Sequence, residues 1–146
     1  MTKKPWTLIS VALALGALLV FRLDFWRVRQ IQINASARPY APNAAPDDPL
    51  PIIFGLGQDW KLTSLRVLPL SELSNAHPKM VWHLVSKSGS APTIGFKYGD
   101  AIQGMQVAPG STLVPLKPGV VYRMELEAVR ARGEIDFTPQ AAGEPR

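Results

Sequence analysis

The sequence predicts an all-β fold, a small β-sandwich preceded by one N-terminal transmembrane helix, and three observations predict it. Trp6 to Phe21 is an unbroken apolar run. Beyond Lys61, short segments alternate apolar and polar residues and are separated by glycine, proline and serine turns, the period of half-exposed strands. Between the two lies Ala35 to Pro51, with five prolines and five alanines in seventeen residues. Proline lacks the N–H and fixes φ, so this stretch reads as neither helix nor strand.

The apolar run is the right length for a bilayer. Reading on through Arg22, Leu23, Asp24 and Phe25 reaches Trp26, twenty helical steps from Trp6, or roughly 30 Å. Tryptophan prefers both membrane interfaces, and an arginine near a helix end can reach the headgroups. Residues 6–26 are therefore expected to span the membrane, with lipid as their partner and Trp6, Phe21 and Trp26 in contact with it. The rival is a cleaved signal peptide. Ala14-Leu15-Gly16 falls inside the apolar run, whereas Ala35-Ser36-Ala37 fits a cleavage site but lies fourteen residues past Phe21, beyond three arginines. An uncleaved single-pass anchor is the expectation. Orientation is balanced between Lys3 and Lys4 on one side and Arg22, Arg27, Arg29 and Arg38 on the other. The short basic start favours export, which in a bacterium means the inner membrane with the β-domain in the periplasm.

The chain divides into an anchor with its juxtamembrane segment (1–34), a proline- and alanine-rich linker (35–60), the β-module (61–139) and a disordered tail (140–146). Gln30 to Ile33 reads equally as a fraying helix end or a short strand. A polyproline-like linker, at about 3.1 Å per residue, would hold the domain up to roughly 50 Å from the bilayer. Ile52 to Gly57 is apolar and reads as packing onto the domain.

Charge narrows the partners. The chain carries +5. Residues 1–34 hold Lys3, Lys4, Arg22, Arg27 and Arg29 against Asp24, so most of the excess flanks the apolar run, where headgroups are the natural counter-charge. On the domain Arg123, Arg130 and Arg132 alternate with Glu125, Glu127, Glu134 and Asp136, not the basic stripe that nucleic acid requires. The absence of cysteine excludes disulfides, thiolate metal sites and cysteine nucleophiles.

Strands are expected at Leu62–Leu68, Lys79–Ser86, Thr93–Tyr98, Ala101–Val107, Ser111–Leu116, Val120–Arg130 and Glu134–Thr138, with Arg132-Gly133 turning the last hairpin. The clearest is Val120–Arg130, which places Val120, Tyr122, Met124, Leu126 and Ala128 inward. Met80, Trp82 and Leu84 share one face of the second, and Ile94, Phe96 and Tyr98 one face of the third.

The run Leu116-Lys117-Pro118-Gly119-Val120-Val121-Tyr122 resembles the entry to the sixth strand of a fibronectin type III domain, over roughly Lys61 to Pro139. The resemblance implies that Tyr122 forms a tyrosine corner, its hydroxyl bonded to backbone upstream, after the turn at Pro118 and Gly119. It also implies that Trp82 is the buried tryptophan of the second strand, and that Phe96 and Tyr98 are aromatics of the third. The family is a scaffold, so the likeness bears on fold and not on chemistry.

Chemistry is thin. His77 and His83 flank Pro78-Lys79 with no carboxylate nearby in sequence to orient them. Asp47 and Asp48 sit among prolines, where nothing fixes two carboxylates in working geometry. No nucleophile elbow, phosphate loop or metal-protease helix is present, and no catalytic residue, metal or small-molecule cofactor is expected. The expected function is a membrane-anchored, non-enzymatic interaction module, docking an envelope protein or serving as accessory subunit of a membrane complex. The alternative is an extracytoplasmic glycan- or ligand-binding domain, for which Trp60 and Tyr40 are the available aromatics.

Overall fold

The computed structural model describes residues 4–25, 27–38 and 45–143. Helix α1 covers Lys4–Phe25. Leucine and alanine dominate it, and Pro5 sits in the first turn, where no intrahelical N–H is needed. Every side chain from Trp6 to Leu23 is exposed, over a window of mean hydropathy 2.0. The helix is long and apolar enough to cross a membrane. Its apolar residues surround it, unlike the one-sided stripe of a helix that packs on a core.

Among the described residues nine strands follow: β1 (Arg29–Gln30), β2 (Asn34–Ala37), β3 (Ile52–Trp60), β4 (Leu62–Pro69), β5 (Trp82–Val85), β6 (Thr93–Lys97), β7 (Gln106–Val107), β8 (Tyr122–Ala128) and β9 (Ala131–Phe137). They form two sheets, one in the order β1-β9-β8-β4-β5-β7 and one in the order β2-β3-β6. All pairings are antiparallel except β1 with β9. The core lies between the sheets. Phe54 and Leu56 come from β3, Leu65 and Val67 from β4, and Met124 and Leu126 from β8. Phe54 meets Phe137 of the other sheet edge-on at 5.1 Å, and Trp82 meets Phe96 across the same gap at 5.9 Å.

Between Ile31 and Ile33 the first strand leaves the larger sheet for the smaller. The N–H groups of Arg29 and Ile31 donate to the carbonyls of Arg130 and Arg132, and three residues later Asn34 pairs with Gly55. Gly133 makes the crossing possible, because a Cβ there would stand 2.6 Å from the Ile31 carbonyl oxygen. Buried Ile31 then fills the core between the sheets.

The domain thus begins about thirty residues upstream of Lys61. Most of β2 and all of β3 fall in the span expected to be linker. Prolines occupy only 39–51, so the two flanks are free to pair, and the window's composition concealed them. Gln140–Gly143, expected to be disordered, lies against the proline segment. Leu50 N–H donates to Gln140, Ala142 N–H to Asp48 and Gly143 N–H to Pro46. Proline cannot donate, but its carbonyl accepts, and that is all Gly143 needs. Trp26, Pro39–Ala44 with Tyr40, and residues 144–146 lie outside the described residues.

Other strand expectations shift. Lys79–Ser86 shortens to β5, Ala101–Val107 to β7, and Ser111–Leu116 is not a strand. Ile94 is 61% exposed on the edge strand β6 and does not share the inward face of Phe96. The last hairpin turns at Val129-Arg130, not at Arg132-Gly133. Gly133 is a glycine of close approach, not of a turn.

Candidate docking surface

Strand direction defines two ends of the domain. One carries the start of β1, where the chain arrives from α1. The other carries the start of β8, about seven residues or roughly 23 Å away along the sheet. Two grooves lie at this second, helix-distal end, and a third cavity of about 410 Å³ lies nearer the helix, on the outer face beside Val28, Gln30 and Arg132.

Two tyrosines shape the distal end. Gly119, at φ 79°, turns the chain into β8 and donates its N–H to the Pro139 carbonyl at 3.0 Å. The turn delivers Tyr122 to a buried site beside Phe137, the ring centroids 5.9 Å apart. The Tyr122 hydroxyl accepts the Lys117 N–H, five residues upstream, at 3.0 Å. Tyr98 follows β6, packs edge-on against Trp82 at 5.0 Å, and donates its hydroxyl to the Val114 carbonyl at 2.6 Å. Burial, with Tyr122 nearby, pushes the Tyr98 phenol up, so it stays a neutral donor. Val114 N–H in turn donates to Val81. Segment 108–117 is therefore fixed at both ends although it contains no strand.

This segment divides two grooves. The larger, about 670 Å³, runs between Pro69–Val81 and Pro109–Lys117 and presents Glu72, Lys79, His83 and Ser111. Hydrogen bonds from Asn75 and from the Lys79 N–H hold the Glu72 carboxyl below the usual range. Burial, and then Arg66 on the facing strand, push the His83 imidazole down. The smaller groove, about 370 Å³, lies between Pro49–Ile52, Lys97–Gly99 and Leu113–Leu116, and its lining is apolar except for Lys97. Leu113 and Val114, on the dividing wall, are 50% and 40% exposed.

Of the residues singled out from sequence, Trp82, Phe96, Tyr98, Pro118, Gly119 and Tyr122 converge beneath or beside this end. Their strand positions differ from expectation, however. Trp82 stands on β5 and Phe96 on β6, because three strands precede Lys61. The buried aromatic of the early strands is Phe54, fully enclosed. Its signal, the alternation Ile52, Phe54, Leu56, was present in a stretch read only as packing material. Trp6 and Phe21 are exposed along α1.

The acidic and basic residues of the hairpin pair across strands on the outer face. Arg66 lies 2.8 Å from Glu125, and Arg123 forms a two-pronged contact with Asp136 at 2.7 and 2.9 Å. Asp48 accepts the Ala45 N–H, which makes it a turn residue. His77 and His83 stand on different elements, and among the described residues no three potential ligands assemble around a metal position. Comparison with family models, with curated proteins and with solved structures gives no match.

Proposed function

We propose that the protein is a single-pass membrane-anchored interaction module whose helix-distal end docks a protein partner of the cell envelope, with the domain on the exported side. One observation carries the reading. Both grooves and the exposed Leu113–Val114 wall lie at the end of the domain opposite the attachment of a membrane-sized helix. An anchored receptor needs this polarity, since a surface facing the bilayer is closed to a soluble or neighbouring partner.

The fibronectin type III-like reading of the scaffold draws on strand order. Naming β2, β3 and β6 as A, B and E leaves β9, β8, β4 and β5 as G, F, C and C′, the division of such sandwiches. Tyr122 then opens strand F and bonds back to Lys117, as a tyrosine corner does.

The ligand-binding alternative draws on the larger groove, whose volume suits a small molecule. Of the two aromatics singled out for stacking on a glycan, Trp60 packs against the core at the other end, and Tyr40 lies outside the described residues. A photo-crosslinker placed at Leu113 in intact membranes tests the docking reading. It should give a discrete protein adduct that Val114→Glu abolishes without changing the melting temperature. No adduct from Leu113, with adducts forming only at the helix-proximal end, would reject it. An adduct with a saccharide or other small molecule would promote the alternative.

A further inference from the structure

The helix-proximal end has its own chemistry, and its distance from the membrane is set by covalent geometry. Only residues 26–28 separate α1 from β1. At no more than about 3.6 Å per residue, Arg29 stands within roughly 15 Å of Phe25. The headgroup layer beyond the hydrocarbon is itself about 5–8 Å deep on each side. Arg29 donates its N–H to the Arg130 carbonyl at 2.8 Å, so the β8–β9 turn is held at the same height. The β3–β4 corner and the loop after β5 sit beside it, since Leu62 pairs with Ala128 and accepts the Ser90 N–H.

This end is basic. It carries Arg27, Arg29, Lys61, Lys87, Arg130 and Arg132, all exposed, against Asp59 and Glu127, the latter engaged by Arg66 and Arg132. At its tip Val129 is 73% exposed, and Val28 beside the entering chain is 57% exposed. Arg130 holds φ at 59°, a left-handed conformation that a two-residue hairpin normally assigns to glycine or asparagine.

We propose that this end is a docking surface for anionic phospholipid headgroups, which seats the β-domain on the bilayer with Val129 at the interface. The chain supplies the proximity and the cations supply the attraction, because polybasic segments near an anionic membrane surface are drawn to it within about a Debye length. The consequence is a fixed posture. A seated domain holds its two grooves outward, whereas a domain swinging on a long tether would present them at random. The proposal rests on the reading of α1 as a membrane span.

The chain has no cysteine, so one introduced thiol is a unique label. The test uses the full-length protein in lipid nanodiscs, with Val129→Cys carrying an environment-sensitive fluorophore and Leu113→Cys as the distal control. Discs of phosphatidylcholine are compared with discs that also contain phosphatidylglycerol. The expected result is blue-shifted, brighter emission at position 129 only with the anionic lipid, reversed by high salt, while position 113 stays water-like. Lys61→Gln with Lys87→Gln should weaken the seated state roughly thirtyfold, at about fivefold per basic residue. Near-ultraviolet circular dichroism checks that this variant is folded. Should it not be, Lys87→Gln alone, in an exposed loop, gives the same readout at about fivefold. Water-like emission at 129 in both lipids, from protein retained in the discs, overturns the proposal. Protein that fails to stay with the discs overturns the membrane-span reading beneath it.

Discussion

The two ends of the domain are made of the same strands but are finished differently. The helix-proximal end closes with tight turns at Val129-Arg130 and at Lys61 and with the seven-residue loop after β5, and carries six cations against two carboxylates. The helix-distal end closes with long segments tied down by tyrosine hydroxyls. Its charges balance, with Asp47, Asp48, Glu72, Asp100 and Asp136 against Arg38, Lys79, Lys97, Lys117 and Arg123. A basic rim suits a surface that meets headgroups. Longer, neutral segments that form grooves suit one that meets a specific partner. The difference is chiefly one of charge, set on a common sheet.

If the distal end is a built surface, its foundation should be costly to remove. Trp82 is buried against Phe96 and Tyr98. Trp82→Ala is expected to cost about 3–5 kcal/mol, the range for truncating a buried aromatic, and to loosen segment 108–117 through Tyr98. Chemical denaturation of the detergent-solubilised protein measures the first effect, and amide exchange at Val114 the second. An equally stable variant would show that the distal end does not rest on this ring.

The proximal end should break at Gly133. Gly133→Ala places a Cβ 2.6 Å from the Ile31 oxygen, so β1 must move away from β9. The expected loss is about 1–3 kcal/mol, as for other forced overpacking. Faster exchange at the Arg29 and Ile31 amides, with the distal Lys117 amide unchanged, would show that the two ends fail independently. A smaller effect is expected at the distal end from Tyr122→Phe. It removes the acceptor for the Lys117 N–H and should cost about 1 kcal/mol. An unchanged denaturation midpoint would reduce that hydrogen bond to a geometric coincidence.

How legible these ends were in the sequence follows from range of interaction. The helix was plain because membrane insertion depends on local composition. So was β8, whose alternation from Tyr122 to Leu126 survives without knowledge of its neighbours. Phe54 alternates just as cleanly with Ile52 and Leu56, yet the adjacent prolines masked it, since composition averages over a window while pairing is decided residue by residue. Gly133 marks the limit of such reading. Its role depends on Ile31, about a hundred residues away, and glycine signals a turn and a close approach with the same letter. The distal grooves lay beyond reach for the same reason, because their walls come from five separate stretches of chain.

The subtlest difference between the ends concerns pH. His83 faces the larger distal groove, and burial followed by Arg66 lowers its pKa from the ordinary imidazole value. Arg66 keeps this influence although Glu125 and Glu127 contact its guanidinium. In the unfolded chain the imidazole takes up a proton below about pH 6.5, while in the folded domain it resists protonation until lower pH. The unfolded state therefore binds more protons in that window, and stability must fall as pH drops through it. The paired carboxylates Glu72 and Asp136, whose pKa values are also lowered, add a separate loss only at more acidic pH. Denaturation midpoints measured from pH 7.5 to 5.5 should show a shallow decline that His83→Gln flattens. The variant should leave the acidic loss, and fluorophore emission from the proximal position 129, unchanged. A decline that persists in His83→Gln would move the proton uptake to another group and remove the histidine from the distal groove's account.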